Sequence, residues 1–398
     1  MNRTHLRGLP RPFWYLFAGT LVNRVGAFIS PFLALYLTGE RGFTVSDAGV
    51  VLSLLGLGAA ISQPVGGILA DRVGRRRTMV LGLVGSAVTL LVLGAVDSLP
   101  GIAAAAFAYG LALDLFRPAV QAAIADLVPE HDRVRAFALQ FWAVNLGFSV
   151  ATVLGGYLAS RGYWLLFVLD ALASLSFAVL VLRGVPETRP AAVHGEAPGR
   201  LRDVLADKLM LALVASVVAG AVVYLQAFST LPIVFGLDGL GPAAFGLAAS
   251  MNGVLIIVLQ PLLLGMLGRR RRGELLLVAS LLQGLGFGLT LLADDLPGHL
   301  LAIAVWTLGE VLQAGQLGAL VATIAPSHLR GRYMGVFGMS YGVAAFLAPL
   351  LGTQVLDRSG ETLLWGGAFV LCAAAGVGLL QVSRAAEARV LAAQAVHR

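Results

Sequence analysis

The sequence predicts an all-α integral membrane fold, twelve transmembrane helices arranged as two six-helix pseudo-symmetric halves, and three observations carry that prediction. Residues are 58% hydrophobic and 12% charged, with a mean hydropathy of +0.86, well outside the composition of a water-soluble domain. Twelve apolar runs of about 20 residues or more are each long enough to cross a bilayer. A shift of 197 residues, close to half of the 398, lays the chain on itself.

The runs lie between charged or Pro/Gly-containing breaks, near 12–38, 46–69, 78–96, 101–126, 135–160, 164–182, 208–235, 243–268, 274–293, 298–325, 333–357 and 362–383. The halves are then 1–182 and 208–383, with a linker at 183–207 and a tail at 384–398. The linker carries Pro186, Pro190 and Pro198 among mixed charges such as Glu187, Arg189 and Asp203. Its end, Arg200–Asp207, reads as a short amphipathic surface helix or as a solvated loop. The Ala-rich tail reads as helix.

Equivalent breaks of the two halves carry the same residues. Asp97 and Leu99-Pro100 meet Asp294 and Leu296-Pro297, and Pro129, His131, Arg133 and Arg135 meet Pro326, His328, Arg330 and Arg332. Within helices, Gln63-Pro64 meets Gln260-Pro261 and Gly155 meets Gly352. The halves therefore run in the same orientation, and parallel repeats of this kind place a substrate site at their seam.

Basic residues set the orientation. With both termini cytoplasmic, only Arg41, Arg161 and Arg358 fall in outer loops, and only Arg24 and Arg117 fall inside helices; every other Lys and Arg is on the inner side, as the positive-inside rule requires. The net charge of +7 is thus spread along the inner segments rather than gathered on one surface, which argues against a nucleic-acid partner. The lone Cys372 excludes an intramolecular disulfide. The first apolar run is too long for a cleavable signal peptide and belongs to the repeat.

Between helices 2 and 3 the chain reads Gly67-Ile-Leu-Ala-Asp71-Arg72-Val-Gly74-Arg75-Arg76-Arg77. Gly74 permits a tight turn, and the arginines belong at the cytoplasmic interface. Gly67, Asp71, Arg72, Gly74, Arg75 and Arg76 fill every position of a pattern that resembles the signature loop of the major facilitator superfamily, and the resemblance extends over the whole chain. It implies an inner gate in which Asp71 caps a helix of the opposite half and Arg75 pairs with Asp126 at the inner end of helix 4, with Glu130 or Asp132 as other partners. The matching loop of the second half keeps Arg269–Arg272 but has Gly268 in place of Asp71.

Charges at membrane depth are costly and mark function. Arg24, Asp114 and Glu310 each lie about 12 residues, roughly 18–20 Å, from a helix end, near the midplane. Arg117 and Gln121 extend the Asp114 face by successive turns. Pro118 lacks the N–H that would bond the Asp114 carbonyl, so a kink with that carbonyl facing the cavity is expected. Trp306 and Gln313 share a face with Glu310. A carboxyl that changes partners between two conformations takes up and releases a proton, and either Asp114, which has a local arginine, or Glu310 fits that role. The alternative is an ion pair of Arg24 or Arg117 with Asp114 that only holds helices 1 and 4 together. Asn23 and Asn145 join Arg24, Arg117, Gln121, Trp306 and Gln313 as cavity candidates, with Gln140, Gln226, Asn252 and Gln260 as further polar positions. Arg24, Asp114, Arg117 and Glu310 are expected to converge on one central cavity.

The layout of Asn23-Arg24, Asp114, Arg117 and Gly309-Glu310 resembles bacterial proton-linked exporters of the multidrug-resistance type. That resemblance implies a proton-coupled secondary active transporter in the inner membrane, exporting hydrophobic or amphipathic small molecules by alternating access and working as a monomer. Helix 5 departs from the pattern, with Ala151-Thr152 where a Gly-Pro step is usual, which leaves open import or export of a specific metabolite or lipid-linked molecule, or a transport-dead sensor or scaffold. No phosphate-binding Gly-rich loop with Lys and no Cys/His cluster of metal spacing is present, so neither an enzyme, a cofactor nor a metal site is expected. The partners expected are a small-molecule substrate, a proton and the lipid bilayer.

Overall fold

The computed structural model describes residues 9–188, 201–267, 271–326 and 330–396, with no strand among them. Eleven stretches are long and apolar enough to cross a membrane, and the last of them, Arg332–Arg389, is 58 residues long. It belongs to the helical run Arg330–Val396, which is interrupted at Gly360, where φ is 76°. Glycine reaches that conformation without steric cost, so the run makes two helices and the total is twelve.

We number the helices α1 (Arg11–Val25, continued by Ile29–Leu35), α2 (Val45–Arg72), α3 (Arg75–Ala95), α4 (Leu99–Leu113, continued by Arg117–Leu127), α5 (Glu130–Ala159) and α6 (Trp164–Gly184). The second half holds α7 (Lys208–Tyr224, continued by Thr230–Leu237), α8 (Pro242–Leu267), α9 (Arg272–Leu289) and α10 (Leu296–Gln313, continued by Gln316–Ile324). It ends with α11 (330–359) and α12 (361–396). Caps repeat with the sequence: Ser98 accepts from the Gly101 N–H at the start of α4, and Asp295 accepts from the Gly298 N–H at the start of α10, each satisfying an orphan donor.

Four helices are broken at mid-length. The breaks lie at Gly26–Phe28 in α1, at 114–116 in α4, at the 3-10 turn Leu225–Phe228 in α7 and at Ala314-Gly315 in α10. Only the α4 break was expected from the sequence, and its detail differs. The Asp114 carbonyl does not face a cavity unbonded; it accepts the Arg117 N–H at 3.1 Å, because the break brings that donor within reach.

Exposed apolar residues show where lipid is expected. On α3, Leu81, Val84, Val88 and Val92 are exposed at three- or four-residue spacing, while Met79, Leu83 and Leu90 are buried. A helix with apolar residues on its outer stripe and small or apolar residues inside is built for hydrocarbon rather than water.

The chain forms two compact units, Met1–His194 with Phe235–Gly253, and Gly195–Val234 with Val254–Arg398. In the first, α2 and α4 meet backbone to backbone: a Cβ on Gly110 would lie 2.1 Å from the Leu55 carbonyl oxygen and one on Gly58 2.4 Å from that of Phe107. Small residues at such crossings let membrane helices approach closely. The start of α8 is packed on α1 and α5 in the same unit, with Phe245 edge-on to Phe32 of α1 at 5.6 Å and a Cβ on Gly246 lying 2.3 Å from the Thr152 carbonyl oxygen of α5. Phe13, Leu16, Met79, Phe116 and Phe177 fill this unit's core. In the second unit, Leu213, Leu276, Val321 and Leu379 are packed together.

Of the linker, residues 189–200 lie outside the described residues, so Arg200 of the expected amphipathic helix does too; Leu201–Ala206 is helical. Asp207 then caps α7 by accepting the Leu209 N–H at 3.0 Å, accepts the Tyr333 hydroxyl at 2.9 Å and is gripped by both terminal nitrogens of Arg389 at 2.8 and 3.0 Å. The Arg389 hydrogen bonds hold its carboxyl down at about 2, below the usual 3.8.

Candidate functional site

The first unit gathers its charge around two helix breaks. Asp114 is the residue at which the first segment of α4 ends, and Arg117 opens the second. Arg117 Nε lies 2.7 Å from Asp114 Oδ1, but neither atom has a hydrogen bond, so the N–H is not aimed at the oxygen and the contact is Coulombic. Arg24, on the last turn of the first α1 segment, lies within electrostatic reach of the titratable side chains of Arg117, Asp114, Tyr109 and Asp170. Asn23 beside it is buried and donates from Nδ2 to Ser174 Oγ at 3.0 Å. The structure thus brings Asn23, Arg24, Asp114 and Arg117 into one region of α1, α4 and α6.

Other expected members are used differently. Asn145 donates to the Phe141 carbonyl of its own helix at 2.9 Å, and Gln121 is exposed on α4. Gln226, a polar candidate on α7, is spent on the α7 break, donating to the Val222 and Ala348 carbonyls at 3.0 Å and accepting from Thr230 at 2.9 Å. Asp170 was missed by sequence reasoning. It is a carboxylate inside the apolar run of α6, only 3% exposed, and an acidic residue in such a run is the signal that would have found it.

In the second unit Glu310 accepts the Tyr224 hydroxyl at 3.0 Å. Aromatic rings adjoin that pair: Tyr224 is edge-on to Trp306 at 6.0 Å, and Trp306 stacks on Phe287 at 5.4 Å. Trp306 is 3% exposed, which makes it more a wall of the site than a free stacking surface. Gln313 accepts from Gln283 Nε2 at 3.3 Å. A carboxylate flanked by aromatic faces can attract an organic cation.

The signature turn is built around Arg75. Gly74 has φ 115°, a conformation that favours glycine. Arg75 is 6% exposed and donates to Asp71 at 2.9 Å, to the Ala70 carbonyl at 2.8 Å and to Asp126 at 3.3 Å. Arg76 donates to the Leu182 carbonyl, while Arg72 is exposed. A Cβ on Gly67 would meet nothing within 4 Å, so packing in this unit does not demand that glycine. One partner was not legible in the sequence: Glu187 of the linker accepts the Arg75 backbone N–H at 2.6 Å. In the second half Gly268–Arg270 lie outside the described residues, and Arg272 donates to Thr323 at 3.0 Å.

Twelve apolar helices in two repeated halves, with charged side chains held at broken mid-length segments, define a polytopic membrane transporter. The chain belongs to the Major Facilitator Superfamily, whose family model matches residues 16–349 and 239–390. It is 25% identical over 357 residues to a Na(+), Li(+), K(+)/H(+) antiporter of Planococcus maritimus, covering 81% of this chain and 84% of that one. It is 22% identical over 355 residues to the multidrug resistance protein MdtH of Salmonella arizonae, covering 88% and 87%. Among solved structures, a POT family transporter in complex with a thioalcohol-conjugated peptide superposes with a TM-score of 0.81 over 97% of this chain and 99% of that one, at 17% identity; a likeness at that identity is one of fold.

Proposed function

We propose that this chain is a proton-coupled secondary active transporter that exports hydrophobic or amphipathic small molecules by alternating access. The observation that carries the reading is the Asp114–Arg117 contact at the α4 break, with Arg24 close by. Burial favours a neutral acid and a neighbouring arginine favours an anion, so a carboxyl whose arginine neighbours shift between two conformations exchanges its proton with them. The antiporter and multidrug-resistance names of the two relatives support proton exchange and export. Glu310 and its aromatic neighbours suit recognition of an organic cation. The chain works as a monomer in a bacterial inner membrane, termini on the cytoplasmic side, and the signature turn with Arg75 and Asp126 acts at the inner gate.

The test is uptake of a fluorescent lipophilic cation into proteoliposomes under an imposed pH gradient, comparing the unmodified protein with Asp114→Asn. Gradient-driven movement that is lost in the variant is the expected result. Movement that survives collapse of the gradient in the unmodified protein would overturn proton coupling, and no movement in either would turn the search to a narrower substrate.

A further inference from the structure

The first unit contains a second acid at membrane depth that the mechanism above does not use. Asp170 projects from α6 toward the gap at Gly26–Phe28 where α1 is interrupted. Its Oδ2 accepts the Ile29 N–H at 3.4 Å, a long bond, with the Phe28 N–H beside it. One turn further along α6, Ser174 holds Asn23 on the other side of the same gap. Two groups of α6 therefore straddle the α1 break.

Asp170 and Asp114 have unlike surroundings. Asp114 has an arginine nitrogen at 2.7 Å. Asp170 is 3% exposed and takes part in none of the ion pairs among the described residues. The charged and titratable side chains whose fields reach it are Arg24 of α1 and Tyr109 of α4. Arg24 also feels Asp114 and Arg117, so it stands among both acids. A carboxylate withdrawn from water without a cation at ion-pair distance is costly, and binding a proton removes the charge that makes it so.

We propose that Asp170 is a proton-binding site: it carries a proton while α1 is broken as seen here, and gives it up to water when Arg24 moves into ion-pair distance of it. The proton is taken from the aqueous phase on one side and returned to it on the other, with Arg24 as the group that moves. This deepens the proton-coupled reading and rests on it for its part in transport; the protonation itself does not.

Infrared spectroscopy of the purified full-length chain in lipid nanodiscs tests the protonation directly. At neutral pH the unmodified protein is expected to show a carboxylic-acid C=O band that moves in D2O, is absent from Asp170→Asn, and is kept but displaced in Asp170→Glu. No such band at neutral pH, or a band unchanged in Asp170→Asn and unmoved in Asp170→Glu, would overturn the proposal. So would bleaching of the band by Na+ at fixed pH, which would make the site one for a metal cation. In proteoliposomes Asp170→Asn is expected to lower gradient-driven transport about tenfold while leaving substrate exchange without net proton movement within about twofold. Equal loss of both would overturn its role in coupling. A protein whose unmodified form ignores the gradient yet shows the Asp170 band would defeat the transport reading alone.

Discussion

At equivalent positions of the repeat, the first half sets Arg75 beside Asp126 and the second sets Arg272 beside Thr323. The same arginine thus meets an ion in one half and a neutral hydroxyl in the other. The asymmetry continues inward. Arg24, Asp114 and Asp170 correspond to Ala221, Val311 and Gly367, and Glu310 corresponds to Leu113. Tyr109 is matched by Trp306, both nearly fully buried. One helical scaffold, broken at the equivalent helices α1 and α7 and α4 and α10 among the described residues, therefore carries a cluster of acids and arginines in the first half and a single acid among aromatic rings in the second. Duplication supplies the frame, and divergence at a few polar positions makes the two halves electrostatically unlike; the proposed function assigns coupling to the first and recognition to the second.

The sharpest way to break that division is to remove the charge of the first half without leaving a charge alone. In Asp114→Asn the nearby Arg117 and Arg24 lose their acid, so lost transport has a structural explanation as well as a functional one. The double variant Asp114→Asn with Arg117→Gln removes the paired arginine together with its acid and leaves Arg24 with Asp170. It is expected to keep the apparent Tm of the unmodified protein and still to lose about 100-fold in gradient-driven transport, roughly 2.7 kcal/mol. Recovery of transport in the double variant would show that the pair only holds α4 together.

At the signature turn the comparison runs in both directions. Asp126→Thr makes the first half resemble the second. Arg75 keeps Asp71 and the Ala70 carbonyl, so the loss is limited to one charge-assisted bond, about 2 kcal/mol, or roughly 2–3 °C in apparent Tm for a chain of this length. Thr323→Asp gives Arg272 an acid and is expected to raise the Tm by a smaller amount. A variant pair that moves in the same direction would mean that the two arginines do not do equivalent jobs.

The second half is tested by Glu310→Gln. The Gln amide oxygen still accepts the Tyr224 hydroxyl, so folding and the response to a pH gradient are expected to persist while affinity for a cationic substrate falls about tenfold, roughly 1.4 kcal/mol, relative to a neutral one. Equal loss for both substrates would remove Glu310 from charge recognition.

The frame was legible because its signals are strong and local. Apolar runs of membrane length, breaks rich in charge and a repeat at 197 residues are each set by backbone satisfaction in hydrocarbon. The signature turn was legible down to the Arg75–Asp126 pair. The helix breaks were mostly not: the Gly26 and Ser229 N–H groups still bond carbonyls of their own preceding turns, and a single Gly or Ser in an apolar run does not distinguish a break from a close helix crossing. Asp170 and Glu187 escaped for different reasons. Asp170 has no charged neighbour in sequence to draw attention to it, and Glu187 acts on a turn 112 positions away, a pairing that only tertiary structure creates.

The smallest effect belongs to a contact the first half lacks. Asp207 caps α7 and binds Arg389 and Tyr333, whereas the equivalent residue before α1 is Pro10, which offers no side-chain cap. Asp207→Asn keeps one oxygen to accept the Leu209 N–H, sets an amide NH2 beside the Tyr333 hydroxyl and loses the ionic part of the Arg389 contact, a cost on the order of 1 kcal/mol. The sign with pH follows from the carboxyl being held at about 2 against a usual 3.8. Its stabilisation is complete above the usual value and is lost as pH falls through the lower one. Apparent Tm in detergent, measured for both proteins from pH 7 downward, is therefore expected to show the gap between them closing below pH of about 4. A gap that stays constant into acid would mean that Asp207 steadies the start of α7 as a neutral cap, and that its charge adds nothing the first half is missing.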